Sequence, residues 1–194
     1  MTLVAPDLLR VMLLVGLIAH KLLWEVLKRS HGAPAAPSRS RHGSTVAVKL
    51  VKMFVLAFLV VQTVALDVLP MTPNADGLRA FGLILFMAGL VVAMAARFQL
   101  GRNWSDLEDC RLVPGQALVA KGIYRYVRHP IYAGDVLMLV GLELALNSWL
   151  VLGALVAAVV VVRQARAEEV LLKRTLPGYQ EYCARTKRFI PLIV

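Results

Sequence analysis

The chain reads as an all-α integral membrane bundle of about five transmembrane helices. Three observations predict it. Apolar residues make up 59% of the 194 residues, with a mean hydropathy of +0.68, against roughly 45–50% apolar in a soluble domain. That excess collects into blocks close to the length of a bilayer crossing, about 20 residues at ~1.5 Å rise each. The blocks alternate with connections whose positive charge is strongly uneven.

The first block covers residues 8–27. Residues 11–19 followed by Ala33-Pro34-Ala35-Ala36 imitate a cleaved leader, but His20, Lys21, Glu25, Lys28 and Arg29 intervene, so the block reads as a retained helix. The second block covers 46–69. The third, 78–96, carries no charge from Ala80 to Ala96 and is the cleanest. The fourth covers 131–146 and the fifth 149–162, a short block whose helix is free to continue past Arg163 into water. Beyond it, Val170, Leu171, Leu172 and Leu176 follow a helical spacing. The tail is therefore expected as an amphipathic helix lying against the bundle.

Charge fixes the expected orientation. Of the 22 Lys and Arg, all but Arg10, Lys21 and Arg79 fall in 28–52, in 97–128 or in the tail from 163. These are alternate connections, so they share one face, while the connections around 70–77 and 147–148 hold almost none. Positive charge stays inside, which places the N-terminus outside and the C-terminus in the cytosol. The pI near 10.1 is then a topology signal and an attraction to anionic headgroups, and nucleic acid is not an expected partner. One domain spanning 1–194 is the economical organisation. Cys110 and Cys183 match no metal or redox spacing and read as reduced thiols.

The densest chemical cluster runs from Gly122 through Tyr124, Arg128, His129 and Pro130 to Tyr132. Pro130 suits the first turn of the fourth helix and disfavours helix at His129. Arg128 and His129 are thus held beside a helix N-terminus whose free N–H groups attract anions, or they form part of an interfacial Tyr/Arg belt. A second cluster, 163–169, sits where the fifth helix leaves the membrane; alone, acids and bases a turn apart are a solvated surface pair. Asp135, just inside the fourth helix, is costly there and is expected to face a cavity or a partner. Glu143 is expected to snorkel near the outer end, and His20, Lys21 and Glu25 to neutralise one another. No two of the 13 glycines are two apart, so a dinucleotide-type G-x-G-x-x-G is excluded. His20, His31, His42 and His129 share no metal-ligand spacing, and no metal is expected.

Taken together, Leu100-Gly101-Arg102-Asn103-Trp104-Ser105, Ala117-Leu118-Val119, the run 122–132, and Glu168-Glu169 with the later Tyr179 and Tyr182 resemble one family. It is the integral membrane methyltransferases grouped with isoprenylcysteine carboxyl methyltransferase, and the resemblance covers roughly 97–191. The catalytic part is then expected over 78–194, preceded by two helices and a basic linker over 1–69, which match nothing in particular in the family. The resemblance implies S-adenosylmethionine as cofactor, bound without a Rossmann fold between a cytosolic catalytic loop and the helices. Lipophilic or prenylated substrates would enter from the bilayer. The implied cofactor positions are Asp109, Gln116, Ala117, Leu118, Val119, Tyr124, His129, Pro130, Ile131, Tyr132 and Glu168. Glu168 would take the cofactor's ammonium or ribose. The family has a substrate-contacting Arg four residues before that Glu; here position 164 is Gln, flanked by Arg163 and Arg166, which become the candidates.

The implied activity is carboxyl O-methylation of an isoprenylcysteine-like molecule. A carboxylate acceptor needs no general base, only an Arg to aim it, and Arg163 or Arg166 would serve. Gly153, Ala154, Ala157 and Ala158 would permit close helix packing or a groove for the prenyl chain. Methylation of a phospholipid amine would instead need a base, Asp135 or Glu169. A nicotinamide-dependent sterol-type reductase and a non-catalytic scaffold whose basic tail binds anionic lipid are further readings.

Overall fold

The computed structural model describes residues 4–30, 42–65, 68–103 and 117–191. They form six α-helices: α1 Pro6–Ser30, α2 His42–Ala65, α3 Asp76–Leu100, α4 Pro130–Ala145, α5 Val151–Thr175 and α6 Tyr179–Arg185. No strand forms among the described residues, only isolated bridges pairing Pro70 with Ser148 and Val127 with Lys187. Most of each apolar block lies inside one of the first five helices. Among the described residues one helical run, Asp76–Asn103, is by itself long and apolar enough to cross a membrane.

Past the apolar block α5 runs on through residues 163–175, so the amphipathic stretch is the end of α5 and not a further helix, because no Gly or Pro interrupts the chain between Ala154 and Leu176. The break comes at Pro177-Gly178, where Gly178 is left-handed (φ +75°) and the short α6 begins.

The pairing of α3 with α4 organises the rest. Gly82 and Gly89 of α3 face Gly141 and Gly134 of α4, each pair of glycines spaced by two turns along its helix. A Cβ on Gly134 would lie 2.6 Å from the Ala93 backbone nitrogen, and one on Gly141 would strike the Phe86 nitrogen. The helices therefore touch backbone to backbone. In lipid the tails are as apolar as Leu, so close packing over small residues holds helices together where the hydrophobic effect gives little. Of the small residues expected to do this on α5, Ala154 is buried, whereas Gly153 is exposed, with nothing within 4 Å of an added Cβ. Above the seam, Leu9, Leu13 and Leu17 of α1 pack onto Leu83, Phe86 and Leu90 of α3 and Met138 and Leu142 of α4.

Outward faces are apolar as well. Val11, Val15, Ile18 and Leu22 on α1, Phe54, Phe58 and Val61 on α2, Ile84 and Val91 on α3, and Leu155, Val156 and Val159 on α5 are all exposed. A belt on four helices far exceeds the few hundred Å² patches of a soluble monomer, and it suits an apolar solvent. At one end of the bundle Asn147 ties the two short connections together. Its side chain donates to Thr72 O (2.8 Å) and accepts Thr72 N–H (3.1 Å).

Polar residues inside the helices are paired across them. Glu143, expected to snorkel, is instead buried, and its carboxylate accepts a hydrogen bond from Gln62 of α2 (2.8 Å). His20 of α1 pairs with Asp135 of α4 (3.0 Å) and stacks on Trp24, while Glu25 pairs with Arg29. The expected mutual neutralisation of His20, Lys21 and Glu25 is thus replaced by a contact across helices at His20 and a pair one turn along α1 at Glu25.

Gly141→Leu should force α3 from α4 and lower stability by about 1–3 kcal/mol or more. Gly153→Ala, with free space around it, should raise stability by about 0.5–1 kcal/mol. Thermal unfolding in detergent checks both.

Candidate active site

At the end of α3 a backbone turn starts the site. Gly122 is left-handed (φ +61°), and a Cβ there would collide with the Gln99 amide, so the turn requires glycine. The Gln99 Oε1 accepts the Ile123 N–H (2.8 Å), which pins the 3-10 turn Gly122–Arg125 to α3. Asn103 at the end of the same helical run accepts the Ala117 N–H (2.7 Å) and positions 117–119 beside it. The chain then enters α4 through Pro130, with His129 outside the helical region (φ −122°, ψ 56°) as the residue before a proline must be.

The returning tail meets this entry. Arg128 N–H donates to Lys187 O (2.8 Å), His129 N–H to Arg188 O (3.0 Å), and Lys187 N–H to Tyr126 O (3.0 Å). Tyr182 of α6 donates its hydroxyl to Tyr124 O (2.7 Å). Beneath these bonds lies one carboxylate. Glu169 accepts Arg128 Nε–H (2.8 Å) and Arg188 Nε–H (3.0 Å) on Oε1, and Arg188 Nη2–H (2.7 Å) on Oε2. The His129 Nε2 is 3.3 Å from the same Oε1. Arg128 also donates to Cys183 O (3.1 Å) and to Thr186 O. Burial alone would raise the Glu169 pKa, but hydrogen bonds from His129, Arg188 and Arg128 outweigh it and hold the carboxyl well below its usual range.

Glu168, next in sequence, faces the other way. It accepts the Tyr132 hydroxyl (3.0 Å) and lies 3.9 Å from His129 Nδ1, and the Tyr132 and His129 rings stack at 5.4 Å. These groups line an open cleft of about 700 Å³, mouth included. Leu100, Asn103, Ala117, Leu118 and Val119 form one wall, with Tyr124, Arg128, His129, Ile131 and Tyr132 behind. Glu168, Leu172 and Leu176 of α5, with Tyr179 and Tyr182, complete it. Burial raises the tyrosine hydroxyls: Tyr182 to about 12, Tyr124 and Tyr179 further. They stay protonated donors at neutral pH.

Of the residues singled out in the sequence, the fold brings Ala117, Leu118, Val119, Tyr124, His129, Ile131, Tyr132 and Glu168 to this one cleft. Pro130 is buried behind it as the helix start. Asp109 and Gln116 lie outside the described residues. Arg163 and Arg166 do not line the cleft. At 100° per residue they sit roughly opposite Glu168 on α5, and both are exposed. Glu169 and Asp135, the bases considered for an amine acceptor, are both engaged, Glu169 in its clamp and Asp135 with His20. Sequence reasoning gave no role to Arg188; its only signal was one more basic residue in a basic tail. Tyr179 and Tyr182 carry the family resemblance, which assigns them no role.

Because Glu169 titrates lower in the fold than the ordinary value of about 4.3, its contribution to stability is complete above that pH. It should be lost as pH falls through the acid range toward the folded value. Glu169→Ala should cost about 3–5 kcal/mol, since it leaves a buried Arg128 unbalanced. Glu168→Ala, at the cleft surface, should cost far less. Denaturant unfolding at pH 7 and pH 4 distinguishes them, and the acid-sensitive part should vanish in Glu169→Gln.

Comparison with known proteins places this geometry. A phospholipid methyltransferase family profile matches residues 78–177. Two relatives from Arabidopsis thaliana are similar: protein-S-isoprenylcysteine O-methyltransferase A, 35% identical over 34% of this chain and 34% of its own length, and O-methyltransferase B, 30% identical over 58% of this chain and 59% of its own. The cobalt-zinc-cadmium resistance protein CzcN of Cupriavidus metallidurans is 31% identical over 60% of this chain and 53% of its own length. The chain thus matches from about a third to three fifths of the length of these curated relatives. A solved structure of a eukaryotic intramembrane Ras methyltransferase, isoprenylcysteine carboxyl methyltransferase, shares the fold. Its TM-score is 0.60 at 19% identity, covering 98% of this chain and 69% of that one. The helical fold, the cleft against α4 and α5, and a family match over more than half of the chain lead to one conclusion: this protein belongs to the phospholipid methyltransferase family.

Proposed function

We propose that this chain is a membrane methyltransferase that uses S-adenosylmethionine and methylates a carboxyl group on an isoprenylcysteine-like lipophilic acceptor. The observation that carries the reading is the cleft, which joins an aromatic and aliphatic wall to one outward-facing carboxylate, Glu168, at the membrane exit of α5. Those residues fit an adenosyl sulfonium. Val119, Ile131 and Leu172 offer an apolar bed, Tyr132 and Asn103 offer hydrogen-bonding groups, and Glu168 offers a negative charge for an ammonium or ribose hydroxyl. The names of the two plant relatives support the acceptor.

When bound, the cofactor supplies a methyl group activated by a sulfonium charge. The protein's own part is placement and exclusion of water. Transfer to a carboxylate merges opposite charges, which a low-dielectric site favours over water. No group has to remove a proton, so the commitment of Glu169 to its clamp does not obstruct the reaction. Arg163 and Arg166, on the far side of α5 from Glu168, serve to attract an anionic acceptor to the mouth. Five membrane crossings, with the basic connections and the C-terminus in the cytosol and the N-terminus outside, complete the proposal.

An amine acceptor is the second reading. The family's description favours it, and it would draw on the His20–Asp135 pair one turn deeper in α4 than Ile131.

S-adenosylhomocysteine should bind the detergent-solubilised protein and raise its melting temperature, by the equivalent of about 2.7 kcal/mol at a hundredfold excess over Kd. His129→Ala and Glu168→Ala should abolish that shift, whereas Arg163→Ala and Arg166→Ala should keep it and weaken only the use of acceptor. A folded protein with no shift at millimolar ligand would refute the methyltransferase reading. Topology is checked separately: Asn74→Cys should label from outside intact cells with an impermeant thiol reagent, and Ser38→Cys should not.

A further inference from the structure

The family match ends at residue 177, yet the tail beyond it reaches the cleft. Resting on the cofactor reading above, we infer that Arg188 is a positioning residue for His129, acting through Glu169. Arg188 grips Glu169 with two bonds, Nε–H to Oε1 at 3.0 Å and Nη2–H to Oε2 at 2.7 Å, a fork that fixes the carboxylate plane as well as its charge. The Oε1 thus held lies 3.3 Å from His129 Nε2. An acceptor oxygen at that position selects the imidazole form whose Nε2 carries the proton. Nδ1 is then the ring nitrogen turned toward Glu168 and Tyr132, the groups a cleft ligand meets.

The same tail segment secures the backbone on either side of this contact. Arg188 O accepts His129 N–H, and Phe189 packs beside the imidazole with ring centres 5.8 Å apart. Arg128 shares Glu169 but is spent on Cys183 and Thr186 as well, and its side chain is 9% exposed against 26% for Arg188. Arg188 is therefore the more accessible half of the clamp, the one whose loss alters the carboxylate's orientation while leaving it one buried cation. A carboxylate that orients an imidazole through its far nitrogen is a recurring way of presenting the near nitrogen in a defined state.

The test uses the full chain in detergent, labelled with 15N-histidine, the His129 signals being identified by their absence from H129Q. Wild type should show a protonated, hydrogen-bonded Nε2 at His129, and its Nδ1 signal should move on addition of S-adenosylhomocysteine. R188A should lose the fixed Nε2–H signal and weaken S-adenosylhomocysteine binding by roughly tenfold, the order seen when a partner orienting a binding imidazole is removed. R188K should recover part of both, because a point charge replaces one bond of the fork. R185A, an exposed neighbour, should change neither. In the E169Q background, where the charged fork is already lost, R188A should change the His129 spectrum little further; a full change there would show Arg188 acting other than through Glu169 and overturn the inference. An unchanged His129 spectrum in R188A would overturn it as well. If R188A does not fold, R188Q is read by the same signals. Failure of wild type to bind S-adenosylhomocysteine would refute the cofactor reading alone, since the His129 spectrum of R188A still decides the positioning role.

Discussion

The site depends on one buried carboxylate, that of Glu169. A carboxylate with a 4% exposed side chain is expensive unless its partners saturate it, and here two guanidinium groups and an imidazole do so. Because those partners come from the entry to α4 and from the tail after α6, the charge joins three segments that are far apart in sequence. The tail reaches the α4 entry after α5 ends at Thr175 and the left-handed Gly178 turns the chain into the short α6. Arg128 cannot leave Glu169 without stranding a charge, so the loop 122–129 is locked, and with it the wall of the cleft.

Division of labour between adjacent acids follows from helix geometry. Glu168 and Glu169 are 100° apart around α5, so one faces the cleft with Tyr132 while the other faces the clamp. That separation lets one of two neighbouring acids hold the clamp while the other lines the cleft, without competing for the same cations. It also explains why Arg163 and Arg166 fall on the outer face: the helix that aims Glu168 inward turns them away.

Much of the architecture was legible in the sequence because its signals are local. The apolar blocks mark the first five helices, and Pro130 and Gly122 mark the two backbone features that shape the loop. Family resemblance then gathered residues from Ala117 to Glu168 that the fold does bring to one cleft. What could not be read were pairings across helices. His20 with Asp135, Gln62 with Glu143, and Arg188 with Glu169 join residues whose sequence neighbours offered other plausible partners. The α3–α4 glycine seam was missed for a related reason. Its glycines are each unremarkable on one helix, and only the antiparallel pairing aligns Gly82 and Gly89 with Gly141 and Gly134. A helix continuing past the membrane was also easier to foresee than its exact end, since charges at 163–169 interrupt the apolar pattern without interrupting the helix.

The central claim, that this cleft delivers a methyl group to a lipophilic carboxylate, meets its most direct test in product chemistry. Purified protein in lipid nanodiscs would be given methyl-labelled S-adenosylmethionine and a prenylated cysteine. Label should appear in the organic phase, mild base should release it as volatile methanol, as methyl esters do, and Glu168→Ala should lose it. Label that stays in the lipid fraction through base treatment would mean an N-methyl product and would contradict the carboxyl acceptor.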